Sequence, residues 1–342
     1  MPMHSPAAES RIGRAALLAR AWAPEGAGPR LIAPLLIPAE ALYRAVILLR
    51  NLAWDREWAT AVRSAIPVIS VGNIAVGGAG KTPFSAWLAA QLRSRGERPA
   101  ILHGGYAADE PALHRRWNPD IPVFEGRDRI ESAAAAHRQG ATVAVLDDGF
   151  QHRRLARDLD IVLIAAETWT RTRSLLPRGP WREPAASLRR AGLVVVTRKS
   201  ADSATARRVA ADLASLAPSV PQAVAAIEPA GWQATGPAGT LPDGPCIAVA
   251  GIAAHASFLA NARAAGAAVE HALIFGDHHA YTPADARRIL AEAAGRCIVT
   301  TEKDAIKLHA LLPHAPIRAL LQGVRVETGA DILEQLLERV RQ

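Results

Sequence analysis

A glycine-rich turn that ends in a lysine and a threonine is the segment of this chain best suited to chemistry. It follows the apolar run 67–71 and closes with Gly80, Lys81, Thr82 and Pro83. Glycines let several backbone N–H groups converge on an anion, and the first turn of a following helix adds the positive end of its dipole. In such a loop the lysine reaches the β- and γ-phosphates of a nucleotide, and the threonine hydroxyl ligates Mg²⁺. The pattern therefore predicts a phosphate-binding loop, with Pro83 in the first helical turn.

The spacing of this loop departs from the pattern G-x-x-x-x-G-K-[ST] at one position, because Ala75 stands where the first glycine belongs. Glycines inside the loop supply the flexibility instead. The predicted nucleotide-binding backbone consists of Gly77, Gly78, Ala79 and Gly80. A glycine-rich turn arising by chance is the alternative, but the strand before it, the helix after it and the Gly-Lys-Thr triplet favour phosphate binding.

Two consecutive carboxylates form a second candidate site. The apolar run 141–146 ends in Asp147 and Asp148, and Asp147 follows Lys81 by 66 residues. Ligands of open α/β folds bind at the carboxyl ends of the strands, where carboxylates can hold Mg²⁺ and offset phosphate charge. Two aspartates after a strand are also ordinary turn formers. Together with the glycine-rich loop, however, they predict a magnesium site that contains Thr82, Asp147 and Asp148.

Composition limits the class of protein. The chain has 342 residues, half of them hydrophobic, so a sizeable core and two packed units are expected. A net charge of +8 and an isoelectric point near 10.2 indicate an anionic partner. The tryptophans are scattered and not interleaved with basic residues, so nucleic acid is not expected. Cys246 and Cys297 stand far apart, which argues against a disulfide framework or zinc site and fits a reducing cytosol; residues 1–20 lack a secretory signal.

Lysine is rare in this chain. Only Lys81, Lys199, Lys303 and Lys307 occur among its 40 basic residues. Where arginine is the default cation, a lysine is expected mainly where the compact ammonium does what the broad guanidinium cannot. The lysine in the glycine-rich loop is therefore a stronger signal than it would be in a lysine-rich protein.

From residue 66 onward, short β-branched runs alternate with helical stretches. This alternation predicts a mostly parallel sheet with helices on both faces. The expected fold is a P-loop NTPase-like three-layer α/β/α domain with a second, smaller α/β domain and an N-terminal membrane-associated helix. The Gly- and Pro-rich stretch 230–244 is the expected linker. The predicted divisions are residues 1–60, 61–229 and 230–342, with a final helix near 331–341 that could pack back on the first domain.

The stretch 31–49 is the most apolar of the chain. Spanning a bilayer takes about 20 mostly apolar residues, and this stretch is interrupted by two prolines and two charges, so interfacial contact is expected rather than a span. From Pro38 it predicts a helix with one apolar face, made of Leu42, Ala45, Val46 and Leu49. The mixture typical of a membrane interface follows, namely Trp54, Arg56 and Trp58. The alternative is an ordinary helix that covers the core.

The motifs together resemble the tetraacyldisaccharide 4′-kinase family over nearly the whole chain and in order. The resemblance begins with V-G-N-I-A-V-G-G-A-G-K-T-P at 71–83 and L-D-D-G-F-Q-H at 146–152. It continues with L-L-P-R-G-P-W-R-E-P at 175–184, A-V-A-G-I at 248–252, F-G-D-H-H-A-Y at 275–281 and V-T-T-E-K-D at 299–304.

Membership in this family implies transfer of the γ-phosphate of ATP, with Mg²⁺, to the 4′-hydroxyl of an acylated glucosamine disaccharide 1-phosphate. The reaction would take place at the cytoplasmic face of the bacterial inner membrane. A basic chain with an interfacial segment suits such a lipid and an anionic membrane surface. The sequence indicates no obligate protein partner.

The resemblance also implies roles for particular residues. The segment Ala108-Asp109-Glu110-Pro111 matches the family motif G-D-E-P, which makes Asp109 the base that activates the acceptor hydroxyl, with His278 as its partner. By itself Asp109 would be interpreted as a helix N-cap. Arg182 would clamp phosphate and Glu183 would help hold Mg²⁺. For Lys303, a structural ion pair and a substrate contact both remain open.

The chain departs from the family pattern in one region. The family has Ser-Arg-Gly-Tyr after its second strand and then a variable stretch before G-D-E-P. Here Gly104 stands in place of the arginine, Ala108 in place of the first glycine, and the stretch between is essentially absent. The loss motivates one alternative, a nucleotide- or lipid-binding descendant without kinase activity. A second alternative is a P-loop NTPase that drives metal insertion, although the chain lacks the Cys/His cluster expected of one.

Overall fold

The computed structural model describes residues 33–105, 109–169, 173–234, 244–252, 254–277 and 279–341. Within these ranges the strands are β1 (Val68–Gly72), β2 (Pro99–His103), β3 (Val123–Glu125), β4 (Val143–Asp147), β5 (Leu159–Ala165), β6 (Leu193–Arg198), β7 (Gln222–Ala234), β8 (Pro245–Ala250), β9 (Ala268–Ile274), β10 (Cys297–Thr301) and β11 (Ile317–Thr328). The α-helices are α1 (Ile37–Asp55), α2 (Lys81–Ser94), α3 (Asp109–Trp117), α4 (Arg129–Arg138), α5 (Ser203–Leu216), α6 (His255–Ala264), α7 (Pro283–Ala293), α8 (Glu302–Leu311) and α9 (Ala330–Arg341).

These strands form one sheet in the order β3-β2-β4-β1-β5-β6-β7-β11-β10-β8-β9. Neighbouring strands are parallel except β7 and β11, which are antiparallel. Every residue of β1 and β4 is buried, because helices cover both faces of the parallel sheet. The predicted α/β class with three layers is confirmed.

The helices build the core from both sides of the sheet. Helices α2 and α9 pack on one face, where Phe84 and Leu88 meet Leu333 and Leu337. Helix α5 packs on the opposite face against β5 and β6, and α4 packs against β2 and β4. The C-terminal strands carry α7 and α8 on one face and α6 on the other. The last helix of the chain thus contributes to the core around the glycine-rich loop.

The expected linker at 230–244 is wrong over its first five residues. They belong to β7, which continues to Ala234 and pairs with β11. Pro229 and Gly231 look like strand breakers, but the pairing shifts register between Leu320 and Gln322 and so accommodates them. Residues 235–243 lie outside the described ranges. The predicted division at 229/230 therefore falls within a paired strand, and the assignment of two domains stays a prediction.

Topology brings the two candidate phosphate elements to one edge of the sheet. Strands β1 and β4 are neighbours, and Val71 pairs with Asp147. The glycine-rich loop and the two aspartates consequently leave the sheet side by side at its carboxyl edge, as open α/β folds require of a ligand site. Among the helices in the described ranges, none is long and apolar enough to cross a membrane.

Candidate active site

The glycine-rich loop joins β1 to α2. Gly80, the residue before α2, has φ +78°, in the left-handed region. A Cβ at this position would lie 1.9 Å from Ile227 Cδ1, the far end of a β7 side chain that could shift, so it is chiefly the backbone conformation that favours glycine. At Gly77, where φ is +129°, a Cβ would meet nothing within 4 Å. The loop is thus pressed against β7 on one side and open on the other.

Neighbouring segments hold the loop in place. Thr197, at the end of β6, donates its hydroxyl to the Ala79 carbonyl at 2.9 Å. The Val76 N–H donates to the Pro180 carbonyl at 2.7 Å, and the Ala79 N–H donates to the Gly77 carbonyl at 3.0 Å. A loop that is already ordered loses less entropy when it binds a ligand.

Lys81, Asp148 and Arg182 form a charge cluster at the mouth of the loop. Lys81 Nζ lies 3.5 Å from Asp148 Oδ1. Arg182 Nη1 lies 3.3 Å from each carboxylate oxygen of Asp148. Thr82, in the first turn of α2, is the adjacent oxygen donor. Two cations share one carboxylate, so the cluster keeps a net positive charge that suits phosphate.

Asp147 is buried at the end of β4. Its Oδ1 accepts from Ser85 Oγ at 3.1 Å, and its Oδ2 lies 2.9 Å from His114 Nε2. Burial raises the pKa of Asp147, but the hydrogen bond and charge of His114 lower it by more, so the pKa lies below its ordinary value. This carboxylate is therefore charged at neutral pH and held in a defined orientation.

Helix α3 begins at Asp109, which is buried. The next residue, Glu110, has two partners: Oε2 lies 3.0 Å from His103 Nε2, and Oε1 accepts from Lys303 Nζ at 3.0 Å. Burial raises the pKa of Glu110, but His103 and Lys303 lower it by more. Burial lowers the pKa of Lys303, but the carboxylates of Glu110 and Asp109 raise it by more. Of the two roles considered for Lys303, the ion pair is observed.

His103 connects this pair to the magnesium candidates. Its Nδ1 accepts from the Gly105 N–H at 3.1 Å, so the proton of the neutral ring sits on Nε2, facing Glu110. Ligand atoms of His103, Glu110 and Asp147 lie within 4.8 Å of one another. The start of α3 and the end of β4 therefore belong to one buried polar cluster, which we call the acid cluster (His103, Asp109, Glu110, His114, Asp147 and Lys303).

Arg182 and Glu183, predicted to bind phosphate and Mg²⁺, contact different groups. Arg182 contacts Asp148, whereas Glu183 is buried and receives two hydrogen bonds from Arg190, at 3.0 and 3.3 Å. The Asn51 amide donates to Glu183 at 3.0 Å and the Gln151 amide at 3.2 Å. Burial raises the pKa of Glu183, but Arg190 lowers it by more. Both oxygens of Glu183 are thus engaged by protein groups.

The predicted catalytic partner His278 lies outside the described residues. Its neighbour His279 is described: Nε2 lies 3.1 Å from Asp285 Oδ2, and the ring stacks on Phe275 with 4.7 Å between centroids. Lys307 Nζ donates to the His279 carbonyl at 3.3 Å. His279 is therefore held in a structural arrangement, and the base-partner role stays a prediction for His278.

Helix α1 turns its polar side inward. Glu40, Ile47 and Asn51 are buried, and Glu40 accepts from the Leu175 N–H at 2.8 Å and from Arg178. The predicted apolar face points away from the protein: Leu42 is 69% exposed, and Val46 and Leu49 are 54% and 65% exposed. An ordinary core-covering helix would bury this face. Among the described residues nothing covers this face, which favours the interfacial interpretation of α1, and that interpretation stays a prediction.

An open cavity of about 300 Å³ lies between α1 and the loop. Its lining combines the loop-mouth charges with further polar groups: Tyr43, Arg50, Arg129, Asp148, His152 and Arg182. The Tyr43 hydroxyl donates to the Arg182 carbonyl at 3.0 Å, so α1 is tied directly to the loop-mouth cluster. A molecule in this cavity would touch both the helix and the charges beside the loop.

Several site residues were missed by reasoning from the sequence. Ser85, His103 and His114 carry no spacing signal of their own, because they meet Asp147 and Glu110 only through the sheet order. Glu110 lies directly after Asp109 in the segment that matches the family motif, so its position there was a signal available in the sequence. The rarity of lysine was applied only to Lys81, and the same argument extended to Lys199 would have singled out a second lysine beside the loop.

Comparison with known proteins gives a consistent result. The family described as LpxK, tetraacyldisaccharide-1-P 4′-kinase, matches residues 32–108 and 107–341. The two matched pieces meet where the sequence lacks the stretch before Asp109. A tetraacyldisaccharide 4′-kinase from Anaeromyxobacter sp. (strain K) is 42% identical over 343 residues, covering 90% of each chain. The kinase of the same name from Halorhodospira halophila is 36% identical, covering 91% of this chain and 93% of the relative.

A solved structure agrees with these relatives. The crystal structure of LpxK from Aquifex aeolicus in complex with ATP is 28% identical and superposes with a TM-score of 0.74. The match covers 91% of this chain and all of the other. From the family match and the identity over nine-tenths of the chain, this protein belongs to the tetraacyldisaccharide-1-P 4′-kinase family.

Proposed function

We infer that this chain transfers the γ-phosphate of ATP to the 4′-hydroxyl of a tetraacyldisaccharide 1-phosphate, the step of lipid A biosynthesis that gives lipid IVA. Membership in the family supports the reaction. One observation supports assigning this reaction to particular residues. The phosphate loop, the Lys81–Asp148–Arg182 cluster and the acid cluster lie close together at one edge of the sheet.

The phosphate chain of ATP would lie across the loop. Free backbone N–H groups of the loop would face the anion, Lys81 would neutralise the β- and γ-phosphates, and Arg182 would supply a second cation. Asp148 holds Lys81 and Arg182 together before the nucleotide binds. These charges act on a transition state in which negative charge spreads over the transferred phosphoryl oxygens.

The residues at this edge fit Mg²⁺, which prefers hard oxygen ligands. Thr82 offers a hydroxyl, and Asp147 and Asp148 offer carboxylates at the end of β4. A bound ion would neutralise phosphate charge. Arg190, Asn51 and Gln151 engage both oxygens of Glu183, so this residue would anchor α1 through Asn51, and its metal role stays a prediction.

Asp109 would act as the base toward the acceptor. The 4′-oxygen attacks the γ-phosphorus, its proton passes to the Asp109 carboxylate, and the bond from the γ-phosphorus to the bridging oxygen breaks to release ADP. Glu110 and Lys303 fix the first turn of α3, which carries Asp109. His278 would orient or tune this carboxylate.

The lipid side of the reaction would use α1 and the cavity beneath it. The exposed face of Leu42, Val46 and Leu49 suits the acyl region of a membrane, and the positive net charge suits its anionic surface. Arg50 and Arg129 in the cavity are candidate partners for the 1-phosphate of the disaccharide. The protein would then work as a peripheral enzyme on the cytoplasmic face of the inner membrane.

The direct test is transfer of labelled phosphate from ATP to a detergent-dispersed tetraacyldisaccharide 1-phosphate. Lys81→Ala should lower the rate by about 10³-fold, because one preorganised cation at the transferred group is lost. Arg208→Ala, on the exposed side of α5, removes the same charge elsewhere and should keep the full rate.

The same assay separates the kinase from its alternatives. Nucleotide binding without transfer by the intact chain would mean that Gly104 and the missing stretch before Asp109 have left a non-catalytic descendant. ATP hydrolysis that is independent of any lipid would instead favour an NTPase. Membership in the kinase family favours transfer.

A further inference from the structure

A second lysine lies against the phosphate loop. Lys199 Nζ is 3.5 Å from the position that a Cβ on Gly78 would occupy, and its Cε is 3.9 Å from the corresponding position at Gly80. The lysine side chain therefore runs along the loop backbone. No sequence motif pointed to this contact, although lysine occurs only four times in the chain.

The segment that carries Lys199 is rigidly attached to the loop. Two residues earlier, Thr197 donates its hydroxyl to the Ala79 carbonyl of the loop. The Glu167 carboxylate accepts from the N–H groups of Lys199, Ser200 and Ala201, the last two at 2.9 and 3.1 Å. Burial raises the pKa of Glu167, but these N–H groups lower it by more, so a charged carboxylate holds the turn. The position of Lys199 is thus built by two independent sets of contacts.

The charges around Lys199 are unusual for a structural residue. Burial lowers its pKa; Glu167 opposes this, but Lys303 and Lys81 lower the pKa further. Lys199 therefore lies at the loop together with Lys81, the residue that ends it. Like charges repel, so such convergence favours a site whose ligand carries several negative charges.

We propose that Lys199 binds the phosphate chain of the nucleotide, as a second loop lysine beside Lys81. This proposal rests on the nucleotide site described above and adds a residue to it. A lysine ammonium beside Gly78 can approach bound phosphate as a compact point charge, which a broad guanidinium does less readily.

The test measures nucleotide affinity by calorimetry in full-length protein with Mg²⁺ and three nucleotides: a non-hydrolysable ATP analogue, ADP and AMP. Lys199→Met keeps the aliphatic stem but removes the charge. This substitution should lower the affinity for the ATP analogue about 10- to 100-fold, the range for a lost charged hydrogen bond. The affinity for AMP should fall much less. Lys199→Arg should recover part of the loss. Arg208→Ala, which removes a charge from the exposed side of α5, should leave all three affinities unchanged.

The results separate this proposal from the one on which it rests. Equal losses for the three nucleotides, or no loss, would overturn the phosphate role of Lys199. The proposal would also be overturned if Lys199→Met lowered the thermal stability of the protein enough to explain the lost affinity, since the lysine would then only support the loop. Lys81→Ala serves as the reference: if it also binds the ATP analogue normally, the nucleotide site itself is misassigned.

Discussion

Helix α1 and the carboxyl edge of the sheet both depart from the usual rule that apolar side chains are buried and charged ones exposed, but in opposite ways. On α1, Leu42, Val46 and Leu49 face solvent while Glu40 and Asn51 are buried. At the sheet edge, the acid cluster buries charged and polar side chains at the ends of β2 and β4 and the start of α3. Each arrangement costs folding free energy, the first through apolar exposure and the second through desolvation.

The two regions differ in how this cost is met. In the acid cluster the polar groups satisfy one another: Lys303 pairs with Glu110, and His114 is hydrogen-bonded to Asp147. The apolar face of α1 has no such partner among the described residues. The polar groups of the first region thus find partners within the fold, whereas the apolar face of α1 is left uncovered by the described residues. The membrane contact that we propose for this face would cover it.

The largest effect is expected from replacing Asp109, the proposed base in the acid cluster. Asp109→Asn keeps the size of the side chain but cannot accept the proton of the acceptor hydroxyl. We expect the rate of transfer to fall by about 10²- to 10⁴-fold, the usual contribution of a general base, with ATP affinity nearly unchanged. Single-turnover transfer and calorimetric ATP binding would be measured together. A parallel loss of ATP binding would show that Asp109 supports the fold and not the proton transfer.

A smaller effect is expected from the other region. Replacing Leu42, Val46 and Leu49 together by serine should lower binding to vesicles that contain anionic lipid by about 100-fold or more, because each buried apolar side chain contributes roughly 1.5–3 kcal/mol. Transfer to a short-chain, water-soluble acceptor should be retained. Vesicle flotation is the measurement, and Leu290→Ser, at an exposed apolar residue of α7, is the control. Unchanged flotation of the triple variant would remove the membrane role of α1.

The smallest effect concerns Glu302, a buried carboxylate at the start of α8. It accepts from the Gln322 N–H at 3.0 Å and from Trp117 of α3, with no cation bonded to it among the described residues. Burial raises its pKa to about 7, against the lowering effect of Trp117, Gln322 and Arg116. A carboxyl whose pKa is higher in the folded chain stabilises the fold at low pH, and this contribution is lost as the pH rises from 4.5 to about 7.

Glu302→Gln should therefore abolish a pH-dependent term of at most about 3 kcal/mol, the equivalent of the pKa shift. We expect the variant to be more stable relative to the native chain at pH 8 than at pH 5, so the difference in the free energy of unfolding, variant minus native, should be larger at pH 8. Urea unfolding at the two pH values measures this difference. Glu338→Gln, on the exposed side of α9, should show no such change. Equal differences at both pH values would contradict the buried-acid interpretation.

Local pattern was sufficient for much of the fold. The phosphate loop, β4 and the helix from Lys81 lie where the apolar runs and the Gly-Lys-Thr triplet predicted them. Strand β11 was not predicted, and residues 230–234 were interpreted as linker although they lie in β7. Local sequence favours these two strands only weakly, and pairing between distant segments stabilises them, because β7 and β11 supply each other's hydrogen bonds over a long antiparallel stretch.

The sequence by itself determined that the chain carries a phosphate loop, paired aspartates and an apolar helix, because each of these is a pattern of neighbouring residues. Only the tertiary structure decided which way that helix faces, since its amphipathicity fits a core or a membrane equally well. The tertiary structure also decided that Glu110, Lys303 and His103 meet, and that Lys199 lies on the loop. Such contacts join residues far apart in the chain, and strand order, which no local spacing encodes, brings them together.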